Sequence, residues 1–297
     1  MGTSEFAGTV LKRLAASGHH PVLAITRPDR QRGRGRRIQS PPVADAAREL
    51  AIEVAQPEDV NAEDARALVG AAAPDAVVIC AYGALIREPL LSAHEMLNVH
   101  PSLLPRWRGA APVERAIEAG DSETGVSIMR PVAELDAGPV FAKRAEPIHP
   151  DDDYGSLAGR LAELSGELLT EVLTEPRDAV PQPPEGVTYA AKIERDDRRL
   201  DTDRPAEALE RWVRALTPHI GAYAELAGGE RLGVRRAAVA GASQAPAAGE
   251  LEFREDSLLL GTAGGALELL EVQPAGGRAM DAAAYARGRM APVRQDT

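Results

Sequence analysis

The sequence predicts an α/β domain with a doubly wound, mostly parallel sheet, followed by a small C-terminal β-barrel. Three observations point there. Short, almost continuously apolar runs alternate with helical stretches through the first two-thirds of the chain. A Pro-rich stretch, TEPRDAVPQPPEG (Thr174 to Gly186), then breaks that rhythm. Beyond it come short strands separated by Gly-rich turns. Apolar strands alternating with helices imply a parallel sheet covered on both faces, and short, evenly spaced strands imply a barrel. A chain of 297 residues is long enough for two substantial cores.

Taken in order, Thr9 to Ser17 reads as a helix stopped by Gly18, and PVLAIT (Pro21 to Thr26) as a short strand. Val43 to Leu50 reads as a helix, IEVAQP as a strand and Ala62 to Ala73 as a helix. DAVVICAY is the clearest buried strand, and EMLNVH, GVSIMRPV and PVFAKRAEPI supply three more. Ser156 to Leu173 has the apolar spacing of an amphipathic helix. The expected division is residues 1–180 as the first domain, 181–204 as a linker and 205–297 as the second. The second opens with a helix over Pro205 to Leu216, Pro standing at its start. ERLGVRRAAVA, GELEFRE, SLLLGTA and GALELLEVQPA then read as strands of an oligonucleotide-binding (OB) type of barrel.

Composition removes several classes of function. No apolar run approaches the roughly 20 residues needed to cross a bilayer, and the first residues lack the basic and apolar pattern of a signal peptide. Cys80 is the only cysteine, so no disulfide framework exists; a reducing cytoplasm fits, and this thiol reads as buried filler. The net charge of −11 argues against general polyanion binding. Yet RPDRQRGRGRR (Arg27 to Arg37) holds six Arg and one Asp. A basic island on an acidic chain suggests a localised phosphate contact, with Gly33 and Gly35 allowing close backbone approach. Gly2 to Gly8 does not form the GxGxxG of dinucleotide sites, and no histidine has a partner at metal-ligand spacing. No metal is expected.

The chemistry concentrates in Asn98-Val99-His100-Pro101-Ser102-Leu103-Leu104-Pro105 and, downstream, Leu135-Asp136-Ala137-Gly138. Asn98 can polarise a carbonyl, His100 can handle a proton near neutral pH, and Asp136 can orient and charge-stabilise that histidine. Asn98 and His100 stand at the end of a strand, where α/β sheets place their sites. Such a trio moves an acyl group to an amine without a covalent intermediate.

NVHPSLLPRWRGAAP resembles the signature of the folate-dependent formyltransferases, and ELDAGPV resembles their second active-site segment. ETGVSIM, the Arg-rich loop, TYAAKI and ALELLEVQP extend the resemblance from about Gly2 to about Gly288. Those segments are most similar to the branch of the family that formylates initiator methionyl-tRNA. The resemblance implies a Rossmann-like formyltransferase domain with an OB-like domain behind it, acting as a cytoplasmic monomer. It implies 10-formyltetrahydrofolate as co-substrate and initiator methionyl-tRNA as acceptor. By position it makes Asn98, His100 and Asp136 catalytic, with Asp136 holding the imidazole as in a triad. It places Ser102, Leu103, Leu104 and Pro105 along the folate, and Arg34, Arg36 and Arg37 near the tRNA end. Arg106, Trp107 and Arg108 could face the substrate entrance or cap the next helix.

Two alternatives stay open: a formyltransferase for a sugar-nucleotide or glycinamide ribonucleotide amine, and an inactive tRNA-binding relative. The chain also departs from the family pattern. MGTSEFA corresponds to the loop after the family's first strand, so that strand is expected to be missing here and the true start codon to lie upstream. Asp201-Thr202 and Thr217-Pro218-His219-Ile220 stand where Asp-Trp and Asn-Pro-Trp-Pro are usual, which bears on tRNA docking and not on the reaction.

Overall fold

A computed structural model describes residues 1–32, 37–175, 177–226, 228–241 and 245–289. The chain forms two compact units. The first comprises Met1–Pro112, Glu123–Pro147 and Ala158–Ala190; the second comprises Val113–Ser122, Ile148–Leu157 and Ala191–Thr297. Residues 181–190 thus pack with the first unit.

The elements run α1 (Glu5–Ala16), β1 (Leu23–Ile25), β2 (Arg30–Arg32), β3 (Arg37–Gln39), α2 (Pro42–Glu49), β4 (Glu53–Ala55), α3 (Glu63–Ala71) and β5 (Val77–Cys80). Then come α4 (Leu90–Ala93), β6 (Met96–His100), β7 (Arg108–Gly109), α5 (Pro112–Ala119), β8 (Glu123–Met129), β9 (Val140–Pro147), α6 (Tyr154–Thr174) and β10 (Tyr189–Ala190). α1 begins four residues earlier than its apolar spacing predicts. The Ser4 hydroxyl accepts from the Ala7 N–H, Glu5 sits in the first turn, and the helix ends where the Ser17 N–H returns to the Leu14 carbonyl. Its apolar face buries Ala7, Val10 and Leu14.

The sheet is mixed, correcting the mostly parallel expectation. β5 and β6 are parallel, but β8 runs antiparallel to β6 and β9 antiparallel to β8. The reason is local: only ten residues join β8 to β9, enough for a hairpin-like return but short for a parallel crossover. β1 pairs in parallel with β4 as a separate ribbon. Ile25, Val69, Val77, Ile79, Leu90 and Met96 form a shared core, each buried side chain stabilising by about 1.5–3 kcal/mol.

Between β1 and β5 lie Met1 and Gly2, which bond to both strands. The Gly2 N–H donates to the Ile25 carbonyl, the Cys80 N–H to the Met1 carbonyl, and the Met1 amino group to the Val78 carbonyl at 2.5 Å. Beyond Met1 the two strands flank a groove of about 440 Å³, lined by Val10, Leu14, Leu23, Val69 and Val78. Strand alternation turns Leu23 and Val78 toward it. Among the described residues, the Leu23 N–H and C=O and the Val78 N–H meet no partner across the groove.

The second unit carries α7 (Ala206–Leu216), β11 (Ala222–Glu225), β12 (Arg231–Ala240), β13 (Leu251–Arg254), β14 (Ser257–Thr262), β15 (Gly265–Pro274), β16 (Met280–Asp281) and α8 (Ala282–Arg289). Leu209, Trp212, Val213 and Leu216 form the buried face of α7. The strands pair antiparallel in the order β11-β12-β15-β14-β13, with β16 on β15. β11 and β13, the ends of that path, do not pair with each other among the described residues. The sequence led to a closed barrel; the sheet is open, its two terminal strands having only four residues each.

Candidate active site

β6 delivers two of the three expected catalytic side chains. Asn98 and His100 are two residues apart on one strand and so share a face. Their register is fixed on both sides, Asn98 opposite Ile79 and Met129, His100 opposite Ser127. His100 is the strand's last residue, at the carboxyl end where parallel strands expose sites.

Asp136 comes from the turn between β8 and β9. It adopts φ +50°, a left-handed conformation that Asp tolerates better than most residues. Gly138 keeps that turn tight, because a Cβ there would overlap the Arg130 carbonyl. The turn brings the Asp136 carboxylate against β6. Oδ1 lies 3.4 Å from the Asn98 amide nitrogen, and Oδ2 lies 3.6 Å from His100 Nδ1. The firm contact of the carboxylate is the Gly109 N–H, which donates to Oδ2 at 2.9 Å. The His100 and Asp136 side chains are only 5% and 11% exposed, so charges here interact through little water.

The second ring nitrogen of His100 decides its tautomer. Nε2 lies 2.9 Å from the Trp107 backbone oxygen. A carbonyl only accepts, so Nε2 carries the hydrogen and the neutral ring has its lone pair at Nδ1, facing Asp136. This differs from the triad geometry, where the carboxylate accepts from Nδ1–H and Nε2 is the base. Trp107 presents that oxygen from a left-handed φ of +62°, while its own N–H donates to Thr188 Oγ1 at 2.9 Å. The carbonyls of Thr188 and Ala190 accept from the Arg108 and Ala110 N–H groups, which docks β10 beside β7. A Cβ on Gly109 would meet the Ala190 oxygen at 2.6 Å, so that approach requires glycine.

Of the expected folate segment, Ser102 and Leu104 are buried, while Leu103 and Pro105 are half-buried. Ser102 Oγ donates to the Arg106 carbonyl at 2.6 Å, and Ser127 Oγ bridges the Ser102 carbonyl and the Leu104 N–H. Lys143 Nζ donates to the Leu104 carbonyl, and partial burial pushes its ammonium below the usual lysine range. Asn98 retains its side-chain oxygen and one amide hydrogen without a partner among the described residues. A free amide at the end of β6 can donate to a carbonyl oxygen.

Arg34 and Arg36 lie outside the described residues; the backbone of Arg37 begins β3, which pairs antiparallel with β2. That hairpin has no apolar pattern to read, since Ile38 is the one apolar residue of its two strands. Arg106 stacks its guanidinium 4.4 Å from the Trp107 ring centroid, and Arg108 is buried. The Trp107 oxygen, the Gly109 N–H and Thr188 were also missed: two are backbone groups, with no side-chain signal. Cys80 is buried as expected, and burial pushes its thiol up to about 12.

Comparison with known proteins gives the family. Residues 1–173 match the family model described as formyl transferase, and residues 192–290 match the formyl transferase C-terminal domain. Methionyl-tRNA formyltransferase of Halorhodospira halophila is 43% identical over 294 residues, 97% of this chain and 94% of that protein. The Ruegeria pomeroyi protein of the same name is 39% identical over 296 residues, 98% of this chain and 97% of its own length. Among solved structures, a sugar 3N-formyl transferase, WlaRD, matches with a TM-score of 0.61 at 13% identity, over 90% of this chain and 94% of that one. HypX from Aquifex aeolicus in complex with tetrahydrofolic acid matches with a TM-score of 0.60 at 21% identity, over 84% of this chain but 45% of the other. At such identities these two likenesses speak to the fold alone. Two family models, together spanning most of the sequence, and near full-length relatives at about 40% identity make this chain a member of the formyl transferase family.

Proposed function

We infer that the chain transfers the formyl group of 10-formyltetrahydrofolate to the free α-amino group of initiator methionyl-tRNA, the reaction that prepares the initiator for translation. The observation that carries the acceptor is near full-length identity of about 40% to proteins named for that activity. The observation that supports the chemistry is the meeting of Asn98, His100 and Asp136 on one face of β6.

The amine attacks as the free base, since its nitrogen needs a lone pair. As a bond forms to the formyl carbon, negative charge gathers on the formyl oxygen. The unused amide hydrogen of Asn98 donates to that oxygen, a contribution of roughly 3–4 kcal/mol by the scale of oxyanion donors. His100 takes the proton leaving the attacking nitrogen, and its tautomer assigns that proton to Nδ1. There it lies between the imidazole and the Asp136 carboxylate. The same proton passes to the folate nitrogen as its bond to the formyl carbon breaks, which restores neutral His100. Leu103 and Pro105 contribute apolar side chains to the folate site, with Ser102 and Leu104 shaping their turn. Arg34, Arg36 and Arg37 contact the acceptor end of the tRNA.

The test is transfer of labelled formyl from 10-formyltetrahydrofolate to initiator methionyl-tRNA, to a sugar-nucleotide amine or to glycinamide ribonucleotide. Label on the tRNA is expected. Label on a small amine alone would replace the acceptor, and none at all would favour an inactive tRNA-binding relative. Arg34→Ala should raise KM for tRNA several-fold and leave KM for folate unchanged; unaltered tRNA kinetics would remove the loop from the interface.

A further inference from the structure

We propose that Gln182 is a positioning residue for this reaction, clamping the turn that carries Asp136 so that its carboxylate stays set against His100 and Asn98. The proposal rests on the formyl-transfer reading above. Gln182 lies in the Pro-rich stretch, 46 residues from Asp136 in sequence. Its Nε2 donates to two backbone oxygens, those of Asp136 at 2.7 Å and Gly138 at 2.8 Å. Its Oε1 accepts from Nε and Nη2 of the buried Arg108, at 3.1 and 2.9 Å. A neutral amide has two donor hydrogens and two acceptor lone pairs, and all four are used. The orientation is therefore forced: the two carbonyls require the NH₂ end and the guanidinium requires the oxygen.

What the clamp joins gives it a role in catalysis. On one side is the turn that presents Asp136 at φ +50°. On the other is Trp107-Arg108-Gly109, whose Trp107 oxygen fixes the His100 tautomer and whose Gly109 N–H holds the Asp136 carboxylate. The Arg130 N–H closes the base of the Asp136 turn on the Pro139 carbonyl at 2.9 Å, but its tip is held less well: Glu134 and Leu135 are exposed, the Arg108–Glu134 contact is 3.4 Å, and the bond from the Ala137 N–H to the Glu134 carbonyl is 3.3 Å. The segment before Gln182 is anchored independently, since Val180 and Val140 exchange backbone hydrogen bonds of 2.8 and 2.9 Å. Gln182 thus reaches the turn from a fixed backbone. Shared hydrogen bonds of this kind around a reacting group typically matter by 10–100-fold in activity.

Gln182→Glu keeps the shape and the Arg108 contacts but cannot donate to the two carbonyls. We expect kcat to fall by about 10–100-fold with KM for tRNA and folate within about threefold. Gln182→Met, which removes both sets of contacts, should match it. In an Asp136→Asn background the Gln182→Glu change should cost less than about twofold, because its effect runs through that carboxylate. A kcat for Gln182→Glu near wild type, or an equal loss in both backgrounds, would overturn the proposal. A readout without substrate decides it separately: hydrogen exchange of the Gly109 amide should speed up at least roughly tenfold in Gln182→Glu, with β8 unchanged. Unchanged exchange at Gly109 would also overturn it. Should the wild type transfer no formyl to methionyl-tRNA, the functional reading fails, and the Gly109 exchange still judges the clamp.

Discussion

Along β6, β8 and β9, each strand has a partner on the side that faces the site, and the segment from Val180 to Ala190 closes the remaining gaps. It supplies partners for Val140, Trp107, Arg108 and Ala110. Along β1 and β5, by contrast, two residues stand where a full strand would bond both neighbours, and a groove of about 440 Å³ lies beyond them. Geometry is thus tightly specified at the flank of the proposed site and loosely at the other. Open strand edges cost stability, whereas a displaced donor or carboxylate costs rate. The two flanks should respond to substitution in different observables.

The largest effect belongs to the site flank. Asn98→Ala should lower kcat by about 10²–10³-fold while stability moves by less than about 1 kcal/mol, since among the described residues its one side-chain hydrogen bond is a long one. Rate assays paired with denaturant unfolding check this. A loss confined to KM, or one matched by a large drop in stability, would break the contrast between flanks.

Next in size is the open flank. Burial holds the Met1 ammonium down, from 8.0 to about 6. Between those values the unfolded chain binds more protons than the folded one, so stability rises as pH climbs from about 6 to 8. Below about 6 both states are protonated and the penalty is complete, on the order of 2–3 kcal/mol. The measurement is a difference: unfolding free energy against pH for the protein with a free and with an acetylated amino terminus. Acetylation should flatten that part of the slope without changing kcat. Identical slopes would mean that the amino group is not buried in solution.

How much of this was legible in sequence divides along the same line. Asn98 and His100 could be read because a strand's period of two puts alternate residues on one face, and an apolar run ending in a Pro turn marks a strand end. β5 and α7 were legible for the same reason: their apolar spacing matches how they are buried. The β8–β9 pairing direction was not, because apolar runs look alike in parallel and antiparallel sheets. The open second sheet escaped too, since closure depends on strand length and register and not on apolar pattern. Gln182 and Thr188 were out of reach for another reason. Their partners lie 46 and 81 residues away, in turns whose shape only the assembled sheet determines. A Pro-rich composition says that a segment makes no regular structure of its own; it does not say what that segment braces.

The smallest expected effect tests that bracing at its second point. Thr188→Val removes the hydroxyl that accepts from the Trp107 N–H but keeps the volume of the side chain. A half-buried donor left unpaired costs about 1–3 kcal/mol, and we expect the low end because Trp107 is not fully enclosed. The Trp107 carbonyl, freed from its fixed left-handed geometry, then holds His100 Nε2 less firmly. Both tautomers of the neutral ring become populated, and only the one with its lone pair at Nδ1 serves the reaction. If the ring divides evenly between them, kcat falls by about twofold with KM unchanged. Thr188→Ser, which retains the hydroxyl, should recover both stability and rate. If serine proves as damaging as valine, the methyl group and not the hydrogen bond is what matters, and the site flank is held by packing like the rest of the core.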